Sequence, residues 1–425
     1  MKSSAGILVI RVGVFPSTSQ TFITLQAKLA LELGYDVRIL VDKKNGIADT
    51  SQAEIIQQYG LLDRTFQLVR IDPAGKWGRL KAIVKIIAKG IPWKLFTTLN
   101  YFKYGREGLK GKYLFQYESV RGFIDADIIH IQFGVYKFPF DELKALGVIK
   151  GKLITTFHGF DAHYTKSDLA DWKLYYKGLF ICGSLFTANS NYLGEKLIEM
   201  GCPPQRLKII PMPIDTDYFI PSTCPVENES IHMLSVGRLI KLKGHEFGIH
   251  AIHGLRAKGY AIKHTIIGSG EEMNPLKKLI AELGLEDVVT IEGNRTQAEV
   301  LQAMRASDIY LMTSTCDASG RREAQGVVVG EAQACGLPIV AFRSGGIPSM
   351  ICEGETGLLI AENDVEQMIE KLEVLIQDPE LRKRMGTAAR SFVEKNFSLR
   401  SIHRTWEEVY AERKSFSVNK VASDE

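Results

Sequence analysis

Cysteine pairs are the first thing missing from this chain. Its six cysteines in 425 residues are scattered, with no C-x-x-C spacing. That excludes a disulfide scaffold and the usual structural zinc sites, and it suits a reducing cytosol. No stretch approaches the roughly 18 consecutive apolar residues of a membrane span. The opening MKSSAGILVIRVG holds too short an apolar run for a secretion signal and reads as a first strand, so a cytoplasmic location is expected. There is no internal repeat and no low-complexity tract. The IIGSGEE segment has two glycines but lacks the third of a dinucleotide fingerprint. No acidic residue follows where a ribose would need one, which counts against an NAD enzyme.

What is present is ordinary globular composition, 45% hydrophobic and 24% charged, with a net charge of +4. The charge is unevenly spread. Residues 1–215 carry an excess of Lys and Arg, and residues 216–425 an excess of Asp and Glu. A basic half joined to an acidic half directs any anionic partner to the first.

Apolar strands alternate with helices twice over. Strands are expected at 6–12, 36–41, 127–133, 152–157, 185–189 and 207–211, then at 232–237, 263–268, 288–293, 308–313 and 338–342. A Pro-rich stretch, 211–225, separates the two series and reads as a linker. The pattern is α/β, with two doubly wound parallel-sheet domains facing a cleft. The expected division is 1–212, 213–395 and a C-terminal helix and tail over 396–425 that packs back on the first domain. Ligands in such sheets bind beyond the carboxyl ends of the strands.

Two carboxylates stand out there. Glu323 and Glu331 lie eight apart in GRREAQGVVVGEAQACGLPIVAFRSGGIP, one in a loop and one inside the following helix. Each can accept paired sugar hydroxyls, and free amides near Gly326 and Val327 can meet sugar or phosphate. Arg238 and Lys243, in SVGRLIKLKGHEF, flank another strand end and suit a diphosphate; Lys241 competes with Lys243 for that place. His158 ends the strand KLITTF and can face a donor sugar from the first domain, or simply pack in its loop. His130, within DIIHIQF, reads as structural. Gly268 offers close backbone approach to a nucleotide, with Asn294 and Arg295 near the base; a plain tight turn serves Gly268 as well. Ser19 and Gln20 either cap the next helix or touch acceptor or phosphate. Two D-x-D strings, Asp125/Asp127 and Asp215/Asp217, read as turns, and with two cations at hand no metal and no cofactor is expected.

Residues 76–113 hold ten Lys or Arg and one Glu, interleaved with Trp77, Ile86, Ile87, Ile91, Trp93, Phe96 and Phe102. A basic, partly apolar surface of this kind suits an anionic membrane; the alternative is a helical pair packed on the sheet with a solvated basic face. No nucleic-acid module is recognisable.

Taken together, these motifs resemble family 4 of the retaining glycosyltransferases, which have the GT-B fold. The resemblance is continuous from SVGRLIKLKG to GGIP. The FPSTSQTFI and DIIHIQFG segments are similar to the subgroup that builds exopolysaccharides of the colanic acid or amylovoran kind. It implies that Arg238 and Lys243 bind the donor diphosphate, Glu331 the ribose, Glu323 the transferred sugar, and that His158 stands beside that sugar. It also implies a nucleotide-sugar donor, a saccharide acceptor and retention at the anomeric carbon; the basic segment 76–113 adds the expectation that the acceptor is lipid-linked, at the inner membrane face. The chain departs from the family in placing Ala324 where many members have glycine. A soluble sucrose- or glycogen-synthase-like transferase and a non-catalytic nucleotide-sugar binder stay open as alternatives.

Overall fold

The computed structural model describes residues 5–17, 20–50, 52–163, 168–222 and 230–412. Seven strands form the first sheet: β1 (Gly6–Phe15), β2 (Tyr35–Lys44), β3 (Thr65–Gln67), β4 (Ile128–Gln132), β5 (Lys152–Phe157), β6 (Leu185–Ala188) and β7 (Leu207–Ile209). Six form the second: β8 (Ile231–Val236), β9 (Ile262–Ile267), β10 (Val289–Ile291), β11 (Ile309–Met312), β12 (Ile339–Phe342) and β13 (Gly357–Ile360). Their orders are β3-β2-β1-β4-β5-β6-β7 and β10-β9-β8-β11-β12-β13, and every pairing is parallel.

Parallel strands need cover on both faces, and each sheet has it. One face of the first sheet packs on helix Thr21–Glu32 through Leu8, Ile10, Ile23 and Ala27. The other takes the helices between 75 and 200, with Ile129, Phe157, Tyr176 and Phe186 at its centre. The second sheet is filled by Val329 and Ala332 on one side and by Ile249, Ile252 and Leu372 on the other.

The chain crosses between the sheets twice, at 211–216 and 397–399. The crossings pair with each other: Ile214 N donates to Phe397 O at 2.7 Å, and Leu399 N to Ile214 O at 3.1 Å. Helix Leu399–Ala411 then lies on the first domain. Its Ile402, Trp406, Val409 and Tyr410 join the core that holds Leu8 and Ile10. Burying Ile402 and Val409 contributes roughly 1.5–3 kcal/mol each.

Two strands lie outside the sequence expectation. β3 is a three-residue edge strand with Phe66 and Gln67 exposed, and β13 is a four-residue strand following a turn. Neither carries a long enough apolar run to announce itself. The basic segment is broken into helices Gly75–Ala88, Trp93–Phe96 and Tyr101–Leu109, with left-handed glycines at Gly90 and Gly111. No helix among the described residues is long and apolar enough to cross a membrane.

Candidate active site in the interdomain cleft

The two sheets turn their carboxyl edges toward one cavity of about 510 Å³. From the second domain, β8 ends at Val236, and Gly237 leads into Arg238. A single 3-10 turn, Lys241–Lys243, then precedes Gly244, whose φ of 57° reverses the chain into helix His245–Ala257. Any side chain at Gly244 would meet the Thr313 carbonyl at 2.3 Å, so the turn demands glycine. Thr313 Oγ1 donates to Lys243 O at 3.0 Å and fixes Lys243 toward the cleft. Lys241 points elsewhere, paired with Glu272 at 2.7 Å. Lys243, not Lys241, lines the cavity.

Glu323 is held by its backbone: Gly346 N donates to Glu323 O at 2.8 Å. Its side chain forms an ion pair with Lys243. Gly326, at φ 85°, then opens helix Val327–Ala334, which carries Glu331. Burial pushes the Glu331 carboxyl up to about 7. Arg238, Lys243, Glu323, Gly326, Val327 and Glu331 all line the one cavity.

The first domain contributes His158. Its loop is shaped by Asp161, whose carboxylate accepts the N–H groups of Gly134 at 2.8 Å and of His158 and Gly159 at 3.0 Å. The imidazole sits between the rings of Phe22 and Phe133, each 4.4 Å away. Its Nε2 bonds Gln132 Oε1 at 2.8 Å. Because that oxygen only accepts, Nε2 carries the proton and Nδ1 keeps a lone pair, which is buried and has no protein partner. Burial lowers the His158 pKa to about 3, so the ring is neutral. Behind it, Gln132 Nε2 meets His130 Nε2 at 3.2 Å, and His130 Nδ1 meets Tyr410 Oη at 2.8 Å. His130 is thus the fully buried centre of a polar chain running from the C-terminal helix to the cleft.

The structure does not bring every expected residue here. Gly268, Asn294 and Arg295 lie outside the cavity lining. Gly268 packs on the Gly237 carbonyl, Asn294 accepts from Ser269 at 2.7 Å, and Arg295 pairs with Glu292 at 3.0 Å. Gln20 occupies the N-cap position of helix Thr21–Glu32, yet its side chain makes no capping bond. Ser19 falls outside the described residues. Asp215 accepts the Tyr218 amide at 3.0 Å in a local turn, as expected, whereas Asp127 accepts the Ile7 amide at 2.8 Å from the start of β1, a contact between distant segments and not a turn.

Other residues of the site had no sequence signal of their own. Tyr192 and Lys196, on helix Asn191–Glu199, line the cavity from the first domain. Ser190 caps that helix and donates to Ala324 O, so the cap also touches the Glu323 loop. A strand followed by Ser-Asn is a legible cap, but nothing in it points across a domain boundary.

Two facing parallel-sheet domains with a carboxylate- and cation-lined cleft define the GT-B class of sugar transferase. Residues 20–218 match the model for Glycosyltransferase Family 4 and residues 224–392 that for Glycosyl transferases group 1. The amylovoran biosynthesis glycosyltransferase AmsK of Erwinia amylovora is 31% identical over 398 residues, covering 93% of this chain and 97% of that one. A protein of Escherichia coli K12 named as a colanic acid biosynthesis glycosyltransferase, WcaL, is 30% identical, covering 92% and 96%. Among solved structures, a glycosyltransferase from Rickettsia africae superposes with a TM-score of 0.68 at 21% identity, over 98% of this chain and all of that one. Anabaena Alr3699/HepE in complex with UDP superposes at 0.69 with 18% identity, over 95% and 99%. The chain belongs to glycosyltransferase family 4.

Proposed function

We propose that this glycosyltransferase moves a sugar from a nucleotide-sugar donor to a lipid-linked saccharide acceptor, with retention of anomeric configuration, during exopolysaccharide synthesis. The single observation that carries this reading is the convergence of Arg238, Lys243, Glu323, Glu331 and His158 on one cleft. Relatives named for colanic acid and amylovoran synthesis over nearly the whole chain support the pathway class.

Breaking the sugar–phosphate bond leaves negative charge on the diphosphate and develops positive charge at the anomeric carbon. Arg238, Lys243 and the amides opening helix Val327–Ala334 stabilise the diphosphate. Glu331 takes the ribose hydroxyls and Glu323 those of the sugar. His158 presents its Nδ1 lone pair as an acceptor for a sugar hydroxyl. Among the described residues lining the cleft none is an obvious nucleophile for the opposite face, and we favour attack from the leaving-group face, with the departing phosphate taking the acceptor's proton. These cations serve the diphosphate without a metal, and no cofactor beyond the donor is needed.

A melting-point screen against UDP-, GDP- and ADP-sugars identifies the donor, because a bound ligand stabilises the fold by mass action. NMR of the product gives the anomer. An inverted product would sink the mechanism.

The lipid-linked acceptor rests on the basic segment. Trp77, Trp93 and Phe102 are 78%, 78% and 97% exposed among its lysines, which suits an anionic bilayer at the inner membrane face. Sedimentation with anionic vesicles at low salt tests it. No binding would remove the membrane claim and leave sugar transfer standing.

A further inference from the structure

A second hollow, of about 350 Å³, opens in the first domain between the segment following β3, the basic helices and Phe138–Pro139. We propose that it holds the diphosphate headgroup of an amphiphilic acceptor. This deepens the proposed function and rests on it, because it names where the acceptor's carrier end sits.

The hollow is lined by Arg70, Arg79, Lys110 and Lys112 against Asp72 and Glu107. Arg70 is the least compensated. Its carboxylate partner, Asp42, is held at 2.7 Å by the buried Arg11, which leaves Arg70 a loose contact at 3.7 Å. One carboxylate thus serves two guanidinium groups. Arg79–Asp72 and Lys110–Glu107 are open pairs of the kind that contribute little, so phosphate oxygens can displace the carboxylates. The hydrogen bond from Lys110, with smaller help from the charges of Lys112 and Arg79, holds the Glu107 carboxyl below its ordinary range. Within the lining, Gln116 is 5% exposed, and its buried carbonyl oxygen has no partner in the protein. Lys112 is already paired with Glu142 at 2.7 Å, and Glu142 also accepts from Gln116 Nε2, so Arg70, Arg79 and Lys110 are the cations left for a phosphate, with the Gln116 oxygen an acceptor for a sugar hydroxyl in the same lining.

Apolar surface adjoins this charge. Phe138, 38% exposed, lines the hollow, and Leu109, 51% exposed, follows the same helix as Glu107. A polar hollow at the foot of exposed apolar side chains matches a headgroup with its hydrocarbon chain. The hollow also lies on the catalytic edge of the sheet. Phe133 touches His158, and Phe138 is five residues further on, a chain length that spans at most about 18 Å. A short saccharide can bridge that interval.

The test is isothermal titration of the full chain with farnesyl diphosphate, farnesol and inorganic pyrophosphate, with UDP saturating the cleft. The variant is Arg70→Glu/Lys110→Glu, at side chains 70% and 52% exposed, so the core is untouched. Farnesyl diphosphate is expected to bind one per chain, at least tenfold tighter than either pyrophosphate or farnesol. The variant should lose at least tenfold in that affinity and keep its UDP affinity within twofold. Equal binding of pyrophosphate would mean a free-anion site, and equal binding of farnesol an apolar one; either overturns the proposal, as does an unaffected variant. If none of UDP, GDP and ADP binds wild type, the cleft assignment fails instead, and farnesyl diphosphate binding still decides the hollow; if GDP or ADP binds in place of UDP, that nucleotide saturates the cleft in the titration.

Discussion

Lys243 and Glu323, 80 positions apart, form an ion pair on the floor of the cleft, with side chains only 14% and 18% exposed. Each neutralises the other. A diphosphate competes for the ammonium and sugar hydroxyls compete for the carboxylate, so one ligand unlocks both groups. Glu323→Ala is expected to lower kcat by roughly 10²–10³. Lys243→Ala should act mainly on donor affinity. Because the residues touch, the double variant should depart from additivity by about 0.5–3 kcal/mol. Steady-state kinetics on the four proteins measures this, and strict additivity would mean the pair is bystander chemistry.

Glu331 makes a prediction about pH. Burial raises its carboxyl from 4.5 to about 7. A raised pKa means the folded state holds the proton more tightly than the unfolded chain. The resulting stability is complete below about pH 4.5 and is lost as pH rises through 7. Its ceiling is about 3 kcal/mol, and the true figure is smaller because the side chain borders the open cleft. Glu331→Gln should therefore match wild type in urea unfolding at pH 4 and exceed it at pH 8. Ribose hydroxyls bind the charged form, so wild-type affinity for a nucleotide sugar should fall between pH 8 and 6. The Gln variant should be flat across that range, and parallel curves would take Glu331 out of the ribose site.

Much of this site was legible because its pieces are local. Arg238 with Lys243, and Glu323 with Glu331, each belong to one strand–loop–helix passage, where spacing fixes which side chains reach the strand's carboxyl edge. The same rule placed Gly268, Asn294 and Arg295 at strand ends, but spacing cannot say which ends face the other domain. Gln132 and Gln325 were silent because each works against a residue far away in sequence, His158 and Met212. The basic segment showed its charge but not its faces. Ile86 turns into the core while Trp77 turns to solvent within one helix. A continuous amphipathic pattern is interrupted by the left-handed Gly90 and Gly111.

His158 and Gln132 supply a prediction about a positioning residue. The Gln132 carbonyl fixes the proton on Nε2 and leaves Nδ1 as the acceptor. Gln132→Leu removes that constraint and leaves His130 with one partner fewer. Turnover is expected to fall about tenfold, less than the roughly 10²–10⁴-fold of losing an acid–base group outright because the imidazole itself stays, while donor affinity changes little. Nitrogen-15 NMR of the imidazole should show a single Nε2–H tautomer in wild type and a mixture in the variant. With the His158 pKa held down at about 3, the wild-type rate profile should show no inflection from this ring between pH 5 and 8. An imidazolium signal near pH 6 would contradict the burial argument.

Gln325 links the Glu323 loop to the hinge. Its Oε1 accepts from Met212 N at 2.8 Å and its Nε2 donates to Met212 O at 3.1 Å, so the side chain stands in for a neighbouring strand. Met212 lies two residues before Ile214, where the two crossings pair. On the same loop, Ala324 faces Gly159, where an added Cβ would come within 2.9 Å of the alanine methyl. Rotation of the domains about 212–214 therefore moves the backbone that carries Glu323. Gln325→Leu keeps the volume and strips both bonds, and is expected to cost about 1–3 kcal/mol in urea unfolding. Gly159→Ala should instead push the loop and leave the hinge bonds intact. If the two domains close on the donor, small-angle scattering with nucleotide sugar should show compaction in wild type. Gln325→Leu should show a larger radius without ligand and a reduced kcat. An unchanged radius together with an unchanged kcat would reduce the Gln325–Met212 contact to packing.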